Sequence, residues 1–274
     1  MKSRPPVPLL RAKRSLGQNF LQDASVLDRI LEAAAPGPGD TVLEIGPGKG
    51  ALTERLLATG ARVVAVELDE RLRPLLRVLE ANHANLRVVW GDIMELSWAE
   101  LGVSEGALLV ANIPYYLTSP LLLRTLGAED ANDAVGPFRR LVLMVQEEVA
   151  DRLLAQPGTK AWGALTVAVR QRADVARICR VSRGAFRPVP GVDSAVVRLD
   201  PLPAWRVPAE RPARFRRVVR AVFAQRRKTL RNALRAGGWS VDAVEAACAE
   251  LDPLVRGETL DLSQLVKVAD ALPD

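Results

Sequence analysis

Residues 41–50 read TVLEIGPGKG, and the rest of the chain is arranged around them. Val42, Leu43, Glu44 and Ile45 form the short run of a buried strand. Gly46, Gly48 and Gly50 follow at alternate positions, and Leu52, Leu56 and Leu57 then recur at helical spacing. Strand, glycine turn and helix start, in that order, make a βα turn able to hold a nucleotide, because glycine takes positive φ and lets the backbone approach a ligand. A second strand is predicted over 62–66 and ends in Glu67. That acid lies about 20 residues past the first glycine, where a carboxylate meets a ribose hydroxyl pair. With Ala51 the string also fits the relaxed dinucleotide pattern G-x-G-x-x-G/A, so the glycines alone leave a nicotinamide or flavin enzyme open.

Upstream, Pro36-Gly37-Pro38-Gly39 breaks the chain before the strand. Asp23 reads as the N-cap of a helix that carries Val26, Leu27, Ile30 and Leu31 at helical spacing. The polar residues before it have no core role, and Asn19 reads either as a turn residue or as part of a lid over the ligand. Downstream, a helix with Leu72, Leu75, Leu76 and Leu79 leads to a strand over 86–90 and then to Gly91-Asp92. A strand over 108–111 delivers Asn112-Ile113-Pro114-Tyr115. Thr118 or Ser119 caps the next helix, with Pro120 in its first turn. Further strands are predicted over 141–145, 164–169 and 195–199, with a helix over 147–155. Strands alternating with helices predict a mainly parallel sheet covered on both faces. Ligands of such sheets sit at the carboxyl ends of the strands, where Gly46, Glu67, Asp92 and Asn112 all fall. Four signals at four successive strand ends predict one pocket.

Pro201, Pro203, Pro208 and Pro212 mark a linker, and no strand pattern follows it. Phe215, Val218, Val219, Val222 and Phe223 give one apolar face of a helix running from 214 to 235, ended by Gly237-Gly238. Two shorter helices are predicted over 241–251 and 263–272. The expected organisation is a domain over 1–203, whose first 13 residues form a flexible basic arm, and a helical domain over 204–274.

The chain has 274 residues and a net charge of +6. Residues 1–24 hold five Lys/Arg and one Asp, residues 201–274 hold thirteen basic and nine acidic, and the segment between is nearly neutral. Positive flanks on a neutral body read either as a solvated surface or as a nucleic-acid contact, with Arg220, Arg227, Lys228 and Arg231 as the candidate contacts. The alternative for Arg227, Lys228 and Arg231 is pairing with acids of the last two helices, such as Glu245 and Glu250. The basic N-terminus lacks an apolar signal core, and no apolar run approaches the roughly 18 residues of a bilayer span. Two cysteines and one histidine build neither a metal cluster nor a disulfide framework. A cytoplasmic protein without metal or membrane attachment is expected.

Two motifs carry the chemistry. Glu44-x-Gly46-x-Gly48-x-Gly50 resembles the first motif of S-adenosylmethionine-dependent methyltransferases. The methyl donor has a sulfonium and no pyrophosphate, so carboxylates beside the loop suit it and would be poor beside a dinucleotide. Asn112-Ile113-Pro114-Tyr115 resembles the motif of methyltransferases that act on exocyclic amines of nucleic acid. An adenine amino nitrogen is a weak nucleophile because its lone pair is delocalised into the ring. Acceptors aimed at its two N–H groups favour a pyramidal nitrogen and hold it in line with the methyl. The Asn112 side chain and a carbonyl at Ile113 or Pro114 are candidates for those acceptors, while Tyr115 offers a face for the base. In the loop that starts at Phe186 (FRPVPGVDS), Phe186 is either packing or a cover for the other face of the base.

These motifs, with LGQNFL at 16–21 and FAQRRKTLRN at 223–232, occur in the order seen in the bacterial small-subunit (16S) ribosomal RNA adenine N6,N6-dimethyltransferases, the kasugamycin-sensitivity enzymes, which the chain resembles from about residue 14 onward. The resemblance implies a Rossmann-like methyltransferase fold with a mainly parallel seven-stranded sheet and a small all-α C-terminal domain. It implies S-adenosyl-L-methionine as cofactor, held by Gln18, Asn19, Leu21, Gly46, Gly48, Glu67, Leu68, Asp92, Ile93 and Asn112, with Glu67 on the ribose and Asp92 on the adenine amine. Asn112, Pro114, Tyr115 and Phe186 would serve the target base. The substrate would be two adjacent adenosines in the 3′-terminal hairpin loop of 16S rRNA, in the small subunit or its precursor, and the enzyme would act as a monomer. Ser15-Leu16 stands where the family often has an aromatic, and Ile113 replaces a common leucine. The alternatives are the related large-subunit adenine methyltransferase of macrolide resistance, which the 225–232 run disfavours, and a non-catalytic assembly factor on the same fold.

Overall fold

A computed structural model describes residues 18–128 and 135–274. The basic arm at 1–13 and residues 14–17 lie outside the described residues. The elements, in chain order, are β1 (Phe20–Leu21), α1 (Ala24–Ala34), β2 (Thr41–Ile45), α2 (Ala51–Ala58), β3 (Arg62–Glu67), α3 (Arg73–Asn82), β4 (Leu86–Trp90), β5 (Ala107–Asn112) and α4 (Thr118–Thr125). They continue with β6 (Phe138–Gln146), α5 (Glu147–Leu154), α6 (Ala164–Arg172), β7 (Ala173–Val181), β8 (Phe186–Arg187) and β9 (Ser194–Pro201). Four helices follow: α7 (Pro212–Ala224), α8 (Leu230–Ala236), α9 (Val241–Ala247) and α10 (Leu262–Ala271).

Seven strands form one sheet in the order β4-β3-β2-β5-β6-β9-β7, and β1 and β8 make a separate two-stranded antiparallel ladder. The pairs β2–β3, β2–β5, β3–β4 and β5–β6 are parallel, and β6–β9 is antiparallel. This is the Rossmann-like architecture that the strand–helix alternation predicts. The central strands are apolar on both faces because helices cover both: Val42, Leu43, Val63, Val64, Leu108 and Leu109 are wholly buried. Helix α1 starts where expected, with the Asp23 carboxylate accepting from Ser25 N at 2.9 Å and Val26 N at 3.4 Å.

Three expectations are corrected. Residues 164–169 are not a strand but the body of α6, in which Thr166, Val167, Val169, Gln171 and Arg172 are all buried. A helix buried on several sides has no polar face, so its apolar run imitates a buried strand. The Thr166 hydroxyl donates to Arg152 O at 2.6 Å and the Gln171 amide to Val207 O at 2.6 Å, which satisfies polar groups a strand reading leaves unexplained. The seventh strand is β7, whose Asp174, Arg177 and Arg180 are exposed at the sheet edge. Charges of this kind protect an edge from further pairing and hide the strand from an apolar search. The single helix over 214–235 is two, α7 and α8, because Thr229 caps a new start and accepts from Asn232 N at 3.4 Å.

The chain packs as two compact units. Among the described residues the first comprises 18–121, 136–150 and 176–200, and the second comprises 122–128, 135, 151–175 and 201–274. Residues 151–175, expected with the first domain, fall in the second because Trp162 and Val167 lie in its core with Phe215, Val218, Leu230 and Leu265. Each core encloses one free cysteine, Cys179 in the first and Cys248 in the second. Among the described residues no helix is long and apolar enough to cross a membrane.

Gly257 meets Val222 of α7 so closely that a Cβ there would lie 2.0 Å from Val222 Cγ1. Val222 is itself buried and stiff at χ1, so it cannot yield. Gly257→Ala should therefore destabilise the second unit by about 1–3 kcal/mol, the scale of core overpacking, read as a lowered urea midpoint.

Candidate active site

The glycine loop begins where β2 ends. Gly46, Gly48 and Gly50 have φ of 68°, 57° and 84°, a left-handed run that side chains rarely adopt. Gly46 N donates to Val66 O at 2.9 Å, which holds the loop against β3. A Cβ on Gly48 would come within 3.0 Å of the Phe20 ring, so that glycine is also required by a close approach. The loop opens into a cavity of about 460 Å³. Gln18, Asn19, Leu21, Gly46, Gly48, Glu67, Leu68, Asp92, Ile93 and Asn112 all line it, as do Pro114 and Tyr115. The parallel register is what brings these strand ends together, since Ile45 pairs with both Val66 and Ala111.

Three carboxyl groups stand at the cavity. Glu67 Oε2 accepts from Gly48 N at 3.2 Å, and its Oε1 accepts from Leu68 N at 2.9 Å and Asp69 N at 2.8 Å. Burial raises its pKa, against the opposing effect of those N–H groups. Asp92 accepts from Met94 N at 2.9 Å. Glu44 is 1% exposed and its Oε2 has no hydrogen-bond partner among the described residues. Burial pushes the Glu44 carboxyl up to about 8, with the Thr53 hydroxyl opposing and the Glu67 charge adding to the rise. Glu67 and Asp92 turn carboxyl oxygens toward the cavity, and Glu44 stays largely neutral there unless a cation lies beside it. Such a set of acids fits a sulfonium methyl donor. Among the described residues no cluster of three or more His, Cys, Asp or Glu side chains is placed to hold a metal.

Asn112 closes β5 with its side chain partly exposed in the cavity. Its Nδ2 donates to the Asn19 carbonyl at 3.1 Å. Pro114 begins a 3-10 turn over Tyr115–Leu117 in which Leu117 N donates to Pro114 O at 2.9 Å. The Tyr115 hydroxyl and Ser194 Oγ share a hydrogen bond of 2.9 Å, which ties the ring to β9. Phe186 does not join these residues. It is 1% exposed and packs in the first core, because the β1–β8 ladder sets it opposite Leu21. The reading of Phe186 as packing is the one its burial supports.

Sequence reasoning missed two contributors. Tyr116 lines the cavity with 56% of its surface exposed, and burial, then the Asp92 charge, raises its phenol pKa. The only signal for it was the doubled tyrosine. Asp69 anchors the segment over the cavity: Gln18 Nε2 donates to Asp69 Oδ2 at 2.8 Å, and Arg71 donates to both of its oxygens. Hydrogen bonds from Arg71 first, and then from Gln18, hold the Asp69 carboxyl down to about 2 against the effect of burial.

The four basic candidates of the second unit separate into two groups. Arg220, Arg227 and Lys228 are exposed. Arg231 is not free for a ligand: its guanidinium donates to Glu245 Oε2 at 2.9 Å, Cys248 O at 2.8 Å and Asp252 O at 3.3 Å. It staples α8 to the end of α9, so its place in the set is corrected to a structural one.

Comparison with known proteins agrees with this geometry. The sequence model of the family described as "Ribosomal RNA adenine dimethylase" matches residues 9–269. The chain is 44% identical over 271 residues to "Ribosomal RNA small subunit methyltransferase A" of Geobacter sulfurreducens, covering 96% of each sequence. It is 44% identical to the protein of the same name from Pelotomaculum thermopropionicum, covering 96% of this chain and 92% of that one. Among solved structures it is similar to a dimethyladenosine transferase from Plasmodium falciparum, with TM-score 0.74, 27% identity, and 91% and 95% of the two chains covered. It is also similar to the 23S rRNA methyltransferase ErmE, with TM-score 0.70, 27% identity, and 93% and 99% covered.

The buried acid makes stability depend on pH. The folded pKa of Glu44, about 8, lies above its unfolded value of 4.5, so its contribution is fully present below 4.5 and is lost as pH rises toward 8. Glu44→Gln should match the wild type below pH 4.5 and exceed it above pH 8. The gain, on the order of a few kcal/mol, is measurable by urea unfolding of the ligand-free protein across that range.

Proposed function

The chain belongs to the ribosomal RNA adenine dimethylase family, and from that membership we infer how its cavity works. It is an S-adenosyl-L-methionine-dependent methyltransferase that converts adenosine of 16S rRNA to N6,N6-dimethyladenosine. The observation that carries the mechanism is the arrival of Asn112, with its Nδ2 already engaged by Asn19, in the cavity that also holds Glu44, Glu67 and Asp92.

When bound, the donor supplies a methyl group made electrophilic by the sulfonium. Gly46 and Gly48 would let the backbone lie close to it, Glu67 would take the ribose hydroxyls, and Asp92, with Leu68 and Ile93 beside it, would take the adenine amine. Gln18, Asn19 and Leu21 would cover it. Asn112 Oδ1 accepts one N–H of the target amine. The second acceptor is the carbonyl of Ile113 or Pro114, and Pro114 already spends one of its two lone pairs on Leu117 N, which favours Ile113. Tyr115 presents its ring to the target base, held by its bond to Ser194. The methylated amine is cationic and gives its proton to water, so the step requires no histidine, lysine or cysteine base. No metal is needed, because the leaving group is activated before it binds.

The finer substrate reading is two adjacent adenosines in the 3′-terminal hairpin loop, within the small subunit or its precursor, methylated by a cytoplasmic monomer that makes no use of a membrane. Support for the small subunit comes from the relatives at 42–44% identity, which carry small-subunit names. The exposed Arg220, Arg227 and Lys228 suit phosphate contacts that position RNA without reading its bases.

Incubating the protein and labelled donor with unmethylated small subunits should place label on two neighbouring adenosines. Label elsewhere, or stable subunit binding without label, would overturn the reading in favour of another target or a non-catalytic factor. In the same assay Asn112→Ala should lose about a hundredfold in rate, the cost of one preorganised acceptor.

The double change Arg227→Glu and Lys228→Glu should weaken subunit binding while leaving donor affinity unchanged. It should also lower the slope of log affinity against log salt by roughly 0.7 to 0.9 for each phosphate that these side chains cease to neutralise. Arg231→Ala is the contrast: it should lower the melting temperature and leave the salt slope alone.

A further inference from the structure

Residues 18–22 form a strap that touches both halves of the reaction. Its β1 pairs with β8, and Gln22 N donates to Ala185 O at 2.9 Å. Gln18 is tied to Asp69 at 2.8 Å, and the Phe20 ring rests on Gly48 with Lys49 Nζ 5.0 Å from its centre. Leu21 is buried in the core. Between these anchors the Asn19 carbonyl accepts from Asn112 Nδ2 at 3.1 Å.

That last bond has a chemical direction. A backbone carbonyl only accepts, so Asn112 must turn its –NH₂ toward Asn19 and leave Oδ1 free on the other side. The two ends of a carboxamide are nearly the same size, and an untethered amide can present either one. In the flipped form its N–H groups would face the N–H groups of the target amine, and the acceptor that activates the nucleophile would be gone.

We propose that the Asn19 carbonyl, held by the strap, is a positioning group that fixes the Asn112 amide in its one reactive orientation. The strap thereby links closure over the methyl donor to readiness of the target amine. This rests on Asn112 serving as the amine acceptor, as proposed above. It differs from a lid that only retains the donor, since it makes the chemical step itself depend on the strap.

A double-mutant cycle separates the two roles. Gln18→Ala with Phe20→Ala removes side-chain anchors of the strap without touching Asn112. Single-turnover methyl transfer is measured at saturating donor in the Asn112 and Asn112→Asp backgrounds. The Asn112→Asp carboxylate accepts at both oxygens and has no wrong orientation, so it needs no positioning. Loosening the strap should slow transfer on the order of tenfold with Asn112 present and less than about twofold in the Asn112→Asp background. Equal factors in the two backgrounds would overturn the inference.

A second readout does not depend on activity. One side-chain amide proton of Asn112 should exchange slowly with solvent, seen by nitrogen-15 NMR, and should lose that protection when the strap is loosened. Unchanged protection would also overturn the inference, even where Asn112→Asp transfers too slowly to measure. Gln18→Ala alone is the milder variant should the pair unfold the protein, judged by circular dichroism. If the wild type fails to methylate small subunits while the amide proton behaves as expected, the functional reading fails, and what stands is that the strap orients the Asn112 amide without a link to amine readiness.

Discussion

A buried carboxyl group near the end of the central strand, one of its oxygens unpartnered among the described residues, sets the terms for the whole site. Glu44 pairs in register between Ala65 and Val110, so its backbone is fixed by two parallel neighbours and its side chain cannot retreat to water. Such an acid has two stable conditions: protonated, or ionised beside a cation. The glycine loop after it keeps side chains out of the space it faces, and Glu67 adds a second acid held open by backbone N–H groups. A cation bound there would draw Glu44 into its ionised form, at the position where dinucleotide enzymes of similar layout bind phosphate. The same fold reads its ligand through which charges stand behind the turn.

Much of this was legible in the sequence because it depends on local patterns. The strands over 41–45, 62–67, 86–90 and 107–112 are short apolar runs bounded by turns; Ile45, Glu67 and Asn112 end three of them in the cavity lining, and the fourth stops just before Gly91 and Asp92, which line it. What escaped was set by tertiary context. Helix α6 is buried on too many sides to show helical periodicity, and β7 is an edge strand whose exposed charges mask it. The β1–β8 ladder joins segments more than 160 residues apart, and only that pairing reveals that Phe186 packs inward against Leu21. For Arg231 the sequence left two readings, phosphate contact or pairing with acids such as Glu245, and the fold decides for Glu245, fourteen residues on.

The second unit shows the same lesson in its energetics. Its helices are short, and α8 and α9 have seven residues each, too few to be stable alone. They persist because Phe215, Val218, Trp239 and Leu265 share one core and because caps at Thr229, Ser240 and Asp261 satisfy the first turns. Arg217 lies over the Trp239 ring at 4.1 Å and donates to Gly237 O at 3.0 Å, so one arginine both covers the core and closes the end of α8. Positive charge in this unit therefore divides between holding helices together and remaining available at the surface.

The two free cysteines have a use beyond packing. Burial raises both thiols above their ordinary pKa, so neither presents a reactive thiolate while its core is closed. The chain has no others, and one sits in each core. A thiol reagent therefore times the opening of each unit separately, through two built-in clocks that require no introduced label.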